Sequence, residues 1–274
     1  MSLAWDPPSV VHAAADWSWA PPDAERVTTD VTLTRWPAWA GGRVVLTGLA
    51  STRSPDDVLC AAVERARAWG SDALGVWVTA GSTPDLTGAL LAHGARLEDT
   101  VEVLALPLGE HAHPPVVPHS GVAPGARGGS VVVRRVEDVS GLRDADAVDT
   151  VVWGQQPLDD DRLAEAARTL GADGAEARVV AYLGGGPVAT GGVTLASAPH
   201  PGLGSVARLW GAGTLPGHRG RGAYRAVLAE RLRIAQGAGA SLALVKGRVS
   251  TSARILRRAG FDLYGEERCY RLAL

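Results

Sequence analysis

The residues best suited to chemistry are two arginines that alternate with two glycines, Arg219-Gly220-Arg221-Gly222. An apolar run at 206–215 precedes them and an amphipathic pattern at 223–236 follows. A strand that turns directly into a helix leaves backbone N–H groups unpaired beside the positive end of the helix dipole. Glycine lets the backbone approach an anion closely, and the arginine fork matches phosphate oxygens. The run therefore predicts a phosphate-binding loop.

Two other nucleotide-binding motifs are disfavoured here. A Walker A loop needs a lysine, and the only lysine of the chain is Lys246. A Rossmann fingerprint opens the first helix of a βαβ unit, whereas this turn follows the fourth predicted strand of its half. The simplest alternative, an Arg-Gly turn that only begins a helix, stays open on this motif alone.

Two motifs in this half resemble a known family. Residues 216–224, PGHRGRGAY, resemble the pyrophosphate-binding motif Arg/Gln-x-x-Gly-x-Gly/Ala of the GNAT superfamily of N-acyltransferases, beginning at Arg219 and extending to Gly222. Residues 251–261, TSARILRRAGF, resemble its second signature, a helix that ends in Gly-Phe. The order and the spacing of the two motifs are also family-like. The resemblance covers residues 131–274.

The resemblance implies an N-acyltransferase that uses acetyl-CoA as the acyl donor. It would transfer the acetyl group directly to an amine of unknown identity on a small molecule or a peptide. The implied cofactor-binding residues are Gly213, Thr214, Arg219, Gly220, Arg221, Gly222, Ala223, Tyr224 and Ser252. Trp153 and Gln155 end the helical region that shapes the acceptor pocket in this superfamily, so they are candidate substrate contacts.

The acid and the base for such a transfer are less evident. The amine must lose a proton, and the leaving thiolate must be stabilised or protonated. The tyrosine that often serves as the acid in this superfamily falls on Leu256, and the strand SVARLWGAGTLP contains no Asp or Glu. Tyr264 and Tyr270 are the candidate catalytic residues, while His200 and His218 are the nearest groups that titrate near neutral pH.

Other functions remain as alternatives. The missing acid and base leave open a catalytically weak or inactive acyl-CoA-binding sensor or regulatory protein. Cys269 is disfavoured as a nucleophile because no neighbouring histidine or helix N-terminus would lower its pKa. A nucleic-acid binder is disfavoured by the formal net charge of −2.

The two halves of the chain repeat one order of elements. In the first half, helix, strand, helix and strand are predicted at 55–69, 74–79, 83–91 and 97–108. In the second half, the same order is predicted at 223–236, 242–245, 252–259 and 268–274. Residues 47–55 contain no phosphate motif, and Ser54 and Pro55 are instead typical of an ordinary helix start, so this copy is expected to bind no CoA.

We therefore expect an α/β protein of mixed α+β type. It would contain two GNAT-like domains, each a mixed, mostly antiparallel twisted sheet flanked by helices. A degenerate domain without a phosphate loop is predicted at 1–110, a linker rich in Pro, Gly and His at 111–130, and the acyl-CoA-binding domain at 131–274. The early tryptophans suit packing or an aromatic-lined pocket equally well; they are Trp5, Trp17, Trp19, Trp36 and Trp39.

Composition leads to a few general expectations. Two distant cysteines, Cys60 and Cys269, indicate no disulfide framework, and no apolar run is long enough for a membrane span. We expect a cytoplasmic protein that binds no nucleic acid, membrane or metal. A homodimer is compatible with the sequence. Histidines 111, 113 and 119 stand in the Pro-rich segment, which suits metal binding poorly.

Overall fold

The computed structural model describes residues 5–21, 23–48, 51–108, 130–171 and 174–274. These ranges contain seven α-helices and eleven β-strands. In the first half they are α1 (Pro7–Ala15), β1 (Glu25–Thr28), β2 (Thr32–Arg35), β3 (Val44–Thr47), α2 (Pro55–Ala68), β4 (Ala73–Val78), α3 (Leu86–Ala92) and β5 (Arg96–Pro107). In the second half they are β6 (Val132–Arg135), α4 (Val139–Trp153), α5 (Asp160–Thr169), β7 (Glu176–Leu183), β8 (Gly186–Ser197), β9 (Ser205–Thr214), α6 (Ala223–Gly237), β10 (Leu242–Arg248), α7 (Ala253–Arg258) and β11 (Asp262–Ala273).

Two compact units make up the chain, and neither is continuous in sequence. Of the described residues, the N-terminal unit contains 6–21, 23–48, 51–104, 246–258 and 262–274, and the C-terminal unit contains Trp5, 105–108, 130–171, 174–245 and 259–261. Residues 246–258 and 262–274, which the sequence analysis placed in the second domain, thus group with the first half. The predicted linker lies almost entirely outside the described residues and stays a prediction.

The sheet of the C-terminal unit has the strand order β10-β9-β8-β7-β6. Adjacent strands in this sheet are antiparallel, except that β9 and β10 are parallel. The paired residues of β9 and β10 extend from Val206 with Leu242 to Leu209 with Val245. Helix α6 packs on one face, where Ala223 and Val227 contact a buried cluster. A second cluster, which includes residues of α4, α5 and β7, lies around Val180. Strand β7 therefore packs against α6 on one face and against α4 and α5 on the other.

The sheet of the N-terminal unit has the order β1-β2-β3-β4-β11-β5. Strands β3 and β4 are parallel, so the order β3-α2-β4 repeats the order β9-α6-β10. The last strand of the chain, β11, runs antiparallel to β4 from the pair Arg268 and Val78 to the pair Ala273 and Ala73. Its Tyr270 and Leu272 complete a core that is built mostly from the first half.

The predicted order of elements is present in both halves, and each unit is a mixed sheet with helices. Helix α1 and the three short strands β1, β2 and β3 were not predicted from the sequence. The last strand is longer than predicted and begins at Asp262 instead of residue 268. Its first part was not predicted because exposed and buried residues do not alternate regularly before Glu267.

Candidate functional site

The predicted phosphate-binding loop joins β9 to α6. Gly220 and Gly222 have φ angles of 75° and 86°, in the left-handed region that glycine adopts most easily. Gly222 is the N-cap of α6, and among the described residues no side chain makes a capping hydrogen bond there. The first backbone bond of the helix runs from the Ala226 N–H to the Gly222 carbonyl at 3.0 Å. The N–H groups of residues 223–225 are therefore available for an anion.

The corresponding helix of the first half begins differently. The Ser54 hydroxyl accepts a hydrogen bond from the Asp57 N–H at 3.1 Å, and Pro55 is the first residue of α2. This confirms the predicted capping. Asp56 and Asp57 also place negative charge in the first turn, where it interacts favourably with the helix dipole. The N-terminus of α2 thus already carries its own cap and counter-charge.

Positive charge and unsatisfied polar atoms surround the loop before α6. Arg219 and Arg221 are exposed, and Arg219 donates from Nε to the Thr214 carbonyl at 3.4 Å. Two buried atoms, Thr214 Oγ1 and His218 Nδ1, have no hydrogen-bond partner among the described residues. Buried polar atoms are normally paired, so the described residues leave these two unsatisfied.

Strand β9 is irregular just before the loop. Gly213 pairs with Thr190 and Trp210 pairs with Gly192, so β9 contains one residue more than β8 over this stretch. The extra residue forms a β-bulge, in which Gly211 has a φ angle of 58°. The parallel register with β10 ends at Leu209. Residues 210–214 thus continue β9 beyond the last registered pair with β10, and the predicted Gly213 and Thr214 lie in this stretch.

Helix α4 lies directly against this part of β9. A Cβ atom on Gly213 would be 2.6 Å from Val152 Cγ1, so only glycine fits. The next residue of α4, Trp153, is 42% exposed, and its Nε1 donates to Asp149 Oδ1 at 3.1 Å. Gln155 donates from Nε2 to Asp146 Oδ1 at 3.5 Å. Both candidate substrate contacts are therefore oriented by buried aspartates near the bulge.

Asp149 belongs to a polar cluster that sequence reasoning missed. Its carboxylate forms an ion pair with Arg178, whose guanidinium lies 5.9 Å from the ring centre of Trp210. Burial raises the pKa of Asp149 in spite of this arginine. The sequence does contain a signal for it, because Asp146 and Asp149 are in phase with the apolar residues of α4.

A buried arginine supports the bulge from the α6 side. Arg231 is 1% exposed, and its Nη1 donates to the carbonyls of Gly192 at 3.3 Å and Trp210 at 3.4 Å. Burial lowers the pKa of Arg231, and burial also raises the pKa of Tyr224, which interacts with it. These carbonyls flank the bulge, so Arg231 is part of what holds it in place. From the sequence, Tyr224 replaces the small residue that closes the family motif, and its side chain was expected to turn into the core between helix and sheet; its burial beside Arg231 agrees with that expectation.

Comparison with known proteins identifies the fold. Neither a protein-family model nor a curated protein sequence matches this chain. A GCN5-related N-acetyltransferase from Kribbella flavida matches with a TM-score of 0.60 and 20% identity, over 90% of this chain and 89% of its own. One from Sphaerobacter thermophilus gives 0.57 and 16%, over 88% and 76%. The fold is that of the GNAT acetyltransferases.

The GNAT similarity extends over both halves of the chain. A tandem GNAT protein from the clavulanic acid biosynthesis pathway matches with a TM-score of 0.59 and 14% identity, over 96% of this chain and 87% of its own. The predicted fold class, two GNAT-like halves with mixed sheets, is thereby confirmed. At these identities the comparisons concern the fold alone.

Three predicted site residues of this GNAT fold lie in the N-terminal unit. The Ser252 hydroxyl accepts from the Arg248 N–H at 3.0 Å, next to α7. Tyr264 is half-buried beside a small cavity, and burial raises its pKa. Tyr270 is 4% exposed in the core and pairs with Val76. The structure thus groups Gly213, Thr214 and residues 219–224 in one loop region, while these three belong to the other unit.

Among the described residues, no group of three or more His, Cys, Asp or Glu side chains could hold a metal ion. Histidines 111, 113 and 119 lie outside the described residues. None of the helices in the described ranges is both long enough and apolar enough to cross a membrane.

Proposed function

We propose that this chain is an N-acetyltransferase that binds acetyl-CoA at the loop between β9 and α6 and transfers the acetyl group to an amine. One observation carries the proposal. In the described part of the chain, no side chain caps the N-terminus of α6, which follows two left-handed glycines and two arginines, whereas α2, its counterpart in the first half, is capped by Ser54. A helix start of this kind suits a pyrophosphate.

Each part of the loop region has a proposed role. The N–H groups of Ala223 and Tyr224, together with the Arg219 and Arg221 side chains, would hold the pyrophosphate, and Gly220 and Gly222 would allow its close approach. The backbone of Gly213 and Thr214 would pair with the pantetheine arm beyond the last β10 pair. Ser252 remains a further proposed cofactor contact. The unpaired Thr214 hydroxyl and the unpaired His218 nitrogen fit a polar ligand.

The acceptor and the proton transfers are proposed as follows. Trp153 and Gln155 would contact an amine on a small molecule or a peptide, held in orientation by Asp149 and Asp146. Bound acetyl-CoA supplies an activated thioester, and each transfer releases one free thiol. Tyr264 and Tyr270 stay the proposed proton donors; Tyr264 is the more exposed of the two.

Calorimetric titration with acetyl-CoA tests the loop. The double variant Arg219→Ala/Gly222→Gln should weaken binding at least about a hundredfold, because it removes a charged contact and obstructs the backbone approach. Arg233→Ala on the same helix is the matched control, since Arg233 is exposed and pairs only with Glu230 at the surface. Undiminished binding by the double variant would refute the assignment.

Turnover is tested separately from binding. Release of free thiol from acetyl-CoA is measured with a panel of primary amines, with the double variant as the negative control. Amine-dependent release that the variant abolishes supports acetyl transfer. If acetyl-CoA binds but no amine stimulates release, the transfer part of the proposal is refuted for that panel, and the binding part stands.

A further inference from the structure

The N-terminal unit contains a cavity of ≈ 330 Å³ that the proposed acetyl transfer does not use. The charged and aromatic residues that line it are Asp23, Glu25, Arg35, Trp36 and Trp69. We propose that this cavity binds a small organic cation of the alkylammonium class, held by the two indole rings and the two carboxylates. The inference does not depend on the proposed acetyl transfer.

The two carboxylates are held in place by indole N–H groups. Trp69 donates from Nε1 to Glu25 Oε1 at 3.0 Å, and Trp39 donates from Nε1 to Asp23 Oδ2 at 3.0 Å. A neutral N–H donor orients a carboxylate without neutralising its charge. Each carboxylate therefore keeps a negative charge that attracts the positive charge of an alkylammonium group, including a quaternary one that has no N–H bond to donate.

The charge of the lining favours a cation over an anion. Among the described residues that line the cavity, two carboxylates accompany one cation, Arg35, whose Nη1 lies 3.8 Å from Glu25 Oε2. That distance is at the outer limit for an ion pair, and both side chains are about half exposed, at 48% and 55%. Such a pair is weak and can open at little cost. Asp23 adds a second negative charge, so the lining carries a net negative charge.

The aromatic part of the lining also suits a cation. Trp36 packs edge-on against Trp19, with ring centres 5.5 Å apart and planes at 82°, which fixes the orientation of its indole. The guanidinium of Arg65, which does not line the cavity, lies 5.6 Å from the ring centre of Trp69 and covers one face of that ring, so a ligand would use its other face or edge. Indole is the side chain that attracts cations best. Both rings are half-buried, so they present apolar surface to a ligand.

The backbone around Trp36 is tightly folded. The Trp36 N–H donates to the Arg43 carbonyl at 2.7 Å. Between these two residues, Gly41 and Gly42 have left-handed φ angles of 92° and 60°. The loop is therefore constrained before any ligand arrives, which reduces the entropy lost on binding. The volume lies at the lower end of the range for small-molecule sites. It suits a compact ligand.

Choline is a suitable probe, with 3,3-dimethyl-1-butanol as its uncharged counterpart of the same shape. Binding to the full chain is measured by calorimetry and by tryptophan fluorescence. Saturable choline binding is expected, with the alcohol at least about tenfold weaker, since it lacks the charge. Equal affinity for the two compounds, or no saturable choline binding, would overturn the proposal.

Variants test which residues hold the cation. Trp36→Ala and Glu25→Gln should each weaken choline binding about fivefold or more, while Trp36→Phe should retain part of it. Glu64→Gln is the matched control, because Glu64 is an exposed acid on α2 outside the cavity. Circular dichroism confirms folding, and the conservative variants Glu25→Gln and Trp36→Phe keep the test valid if Trp36→Ala unfolds. The proposal would also be overturned if Glu25→Gln and a folded Trp36 variant, either Trp36→Ala or Trp36→Phe, both bound choline as tightly as wild type.

Discussion

Val152 occupies the space where a side chain on Gly213 would have to be. The distance from Val152 Cγ1 to a Cβ atom built on Gly213 is 2.6 Å, which is shorter than any real contact of this kind. The C-terminal end of α4 and the bulged part of β9 therefore depend on each other. A change at either residue should affect both stability and the proposed pantetheine contact.

Gly213→Ala should lower the free energy of unfolding by about 1–3 kcal/mol, because the new methyl group overpacks the contact with α4. Acetyl-CoA affinity should fall as well. Adding Val152→Ala should restore most of both losses by making room. Denaturant unfolding and calorimetry measure the two effects, and a double variant no better than Gly213→Ala would contradict the steric explanation.

Two glycines at opposite ends of α6 should respond differently to alanine. Gly222 has a φ angle of 86°, so Gly222→Ala should destabilise the protein by about 1–2 kcal/mol. Gly237 is helical with open space around it, so Gly237→Ala should be neutral or stabilise by up to about 1 kcal/mol. Thermal unfolding compares them. Equal effects at both ends would show that the left-handed start of α6 is not a constraint.

Two arginines of α6 provide a similar comparison. Arg231→Ala should destabilise by about 3 kcal/mol, because it leaves a cavity and removes a donor from the carbonyls of Gly192 and Trp210. Arg233→Ala should change stability by less than about 0.5 kcal/mol, since Arg233 is exposed. Both are measured by urea unfolding. A mild effect of Arg231→Ala would contradict its role in supporting the bulge.

The two cysteines should differ in reactivity. Cys60 is exposed, whereas Cys269 is buried in β11, and this burial raises its pKa to about 12. A thiol-specific disulfide reagent at mildly alkaline pH should therefore label one thiol in the native protein and both after denaturation. Cys60→Ser should remove the native labelling. Rapid modification of Cys269 in the folded Cys60→Ser protein would show that β11 is not held as described.

Tyr182 should make stability depend on alkaline pH. It donates to Asp144 Oδ2 at 2.6 Å, and burial and this bond raise its pKa to about 12 from 10.0. Since the native state holds the proton more tightly, the stability from this phenol is fully present below pH 10 and is lost as the pH rises through about 12.

A comparison of wild type with Tyr182→Phe checks this dependence. The difference in unfolding free energy should favour wild type at pH 8 and shrink as the pH approaches about 12. Absorbance of tyrosinate in the native protein should show one late-titrating group fewer in the variant. A difference that stays constant with pH would argue against the bond to Asp144.

The sequence by itself determined the features that neighbouring residues specify. Glycines at 220 and 222 between a strand and an amphipathic helix indicate an open helix start, and Ser54 with Pro55 indicates a capped one. The structure contains both, because φ preferences and capping act over a few residues. The GNAT fold was expected because the local motifs and their order resemble that superfamily.

Only the tertiary structure shows which strands pair and which side chains are buried together. Alternation predicts that residues 268–274 form a strand, but not that Tyr270 and Leu272 enter the core of the first half beside β4. Charged side chains such as Asp149 and Arg231 likewise find buried partners far along the chain. Strand pairing and burial depend on contacts between residues that are distant in sequence. One local sequence pattern is compatible with several different pairings, so it cannot specify which of them forms.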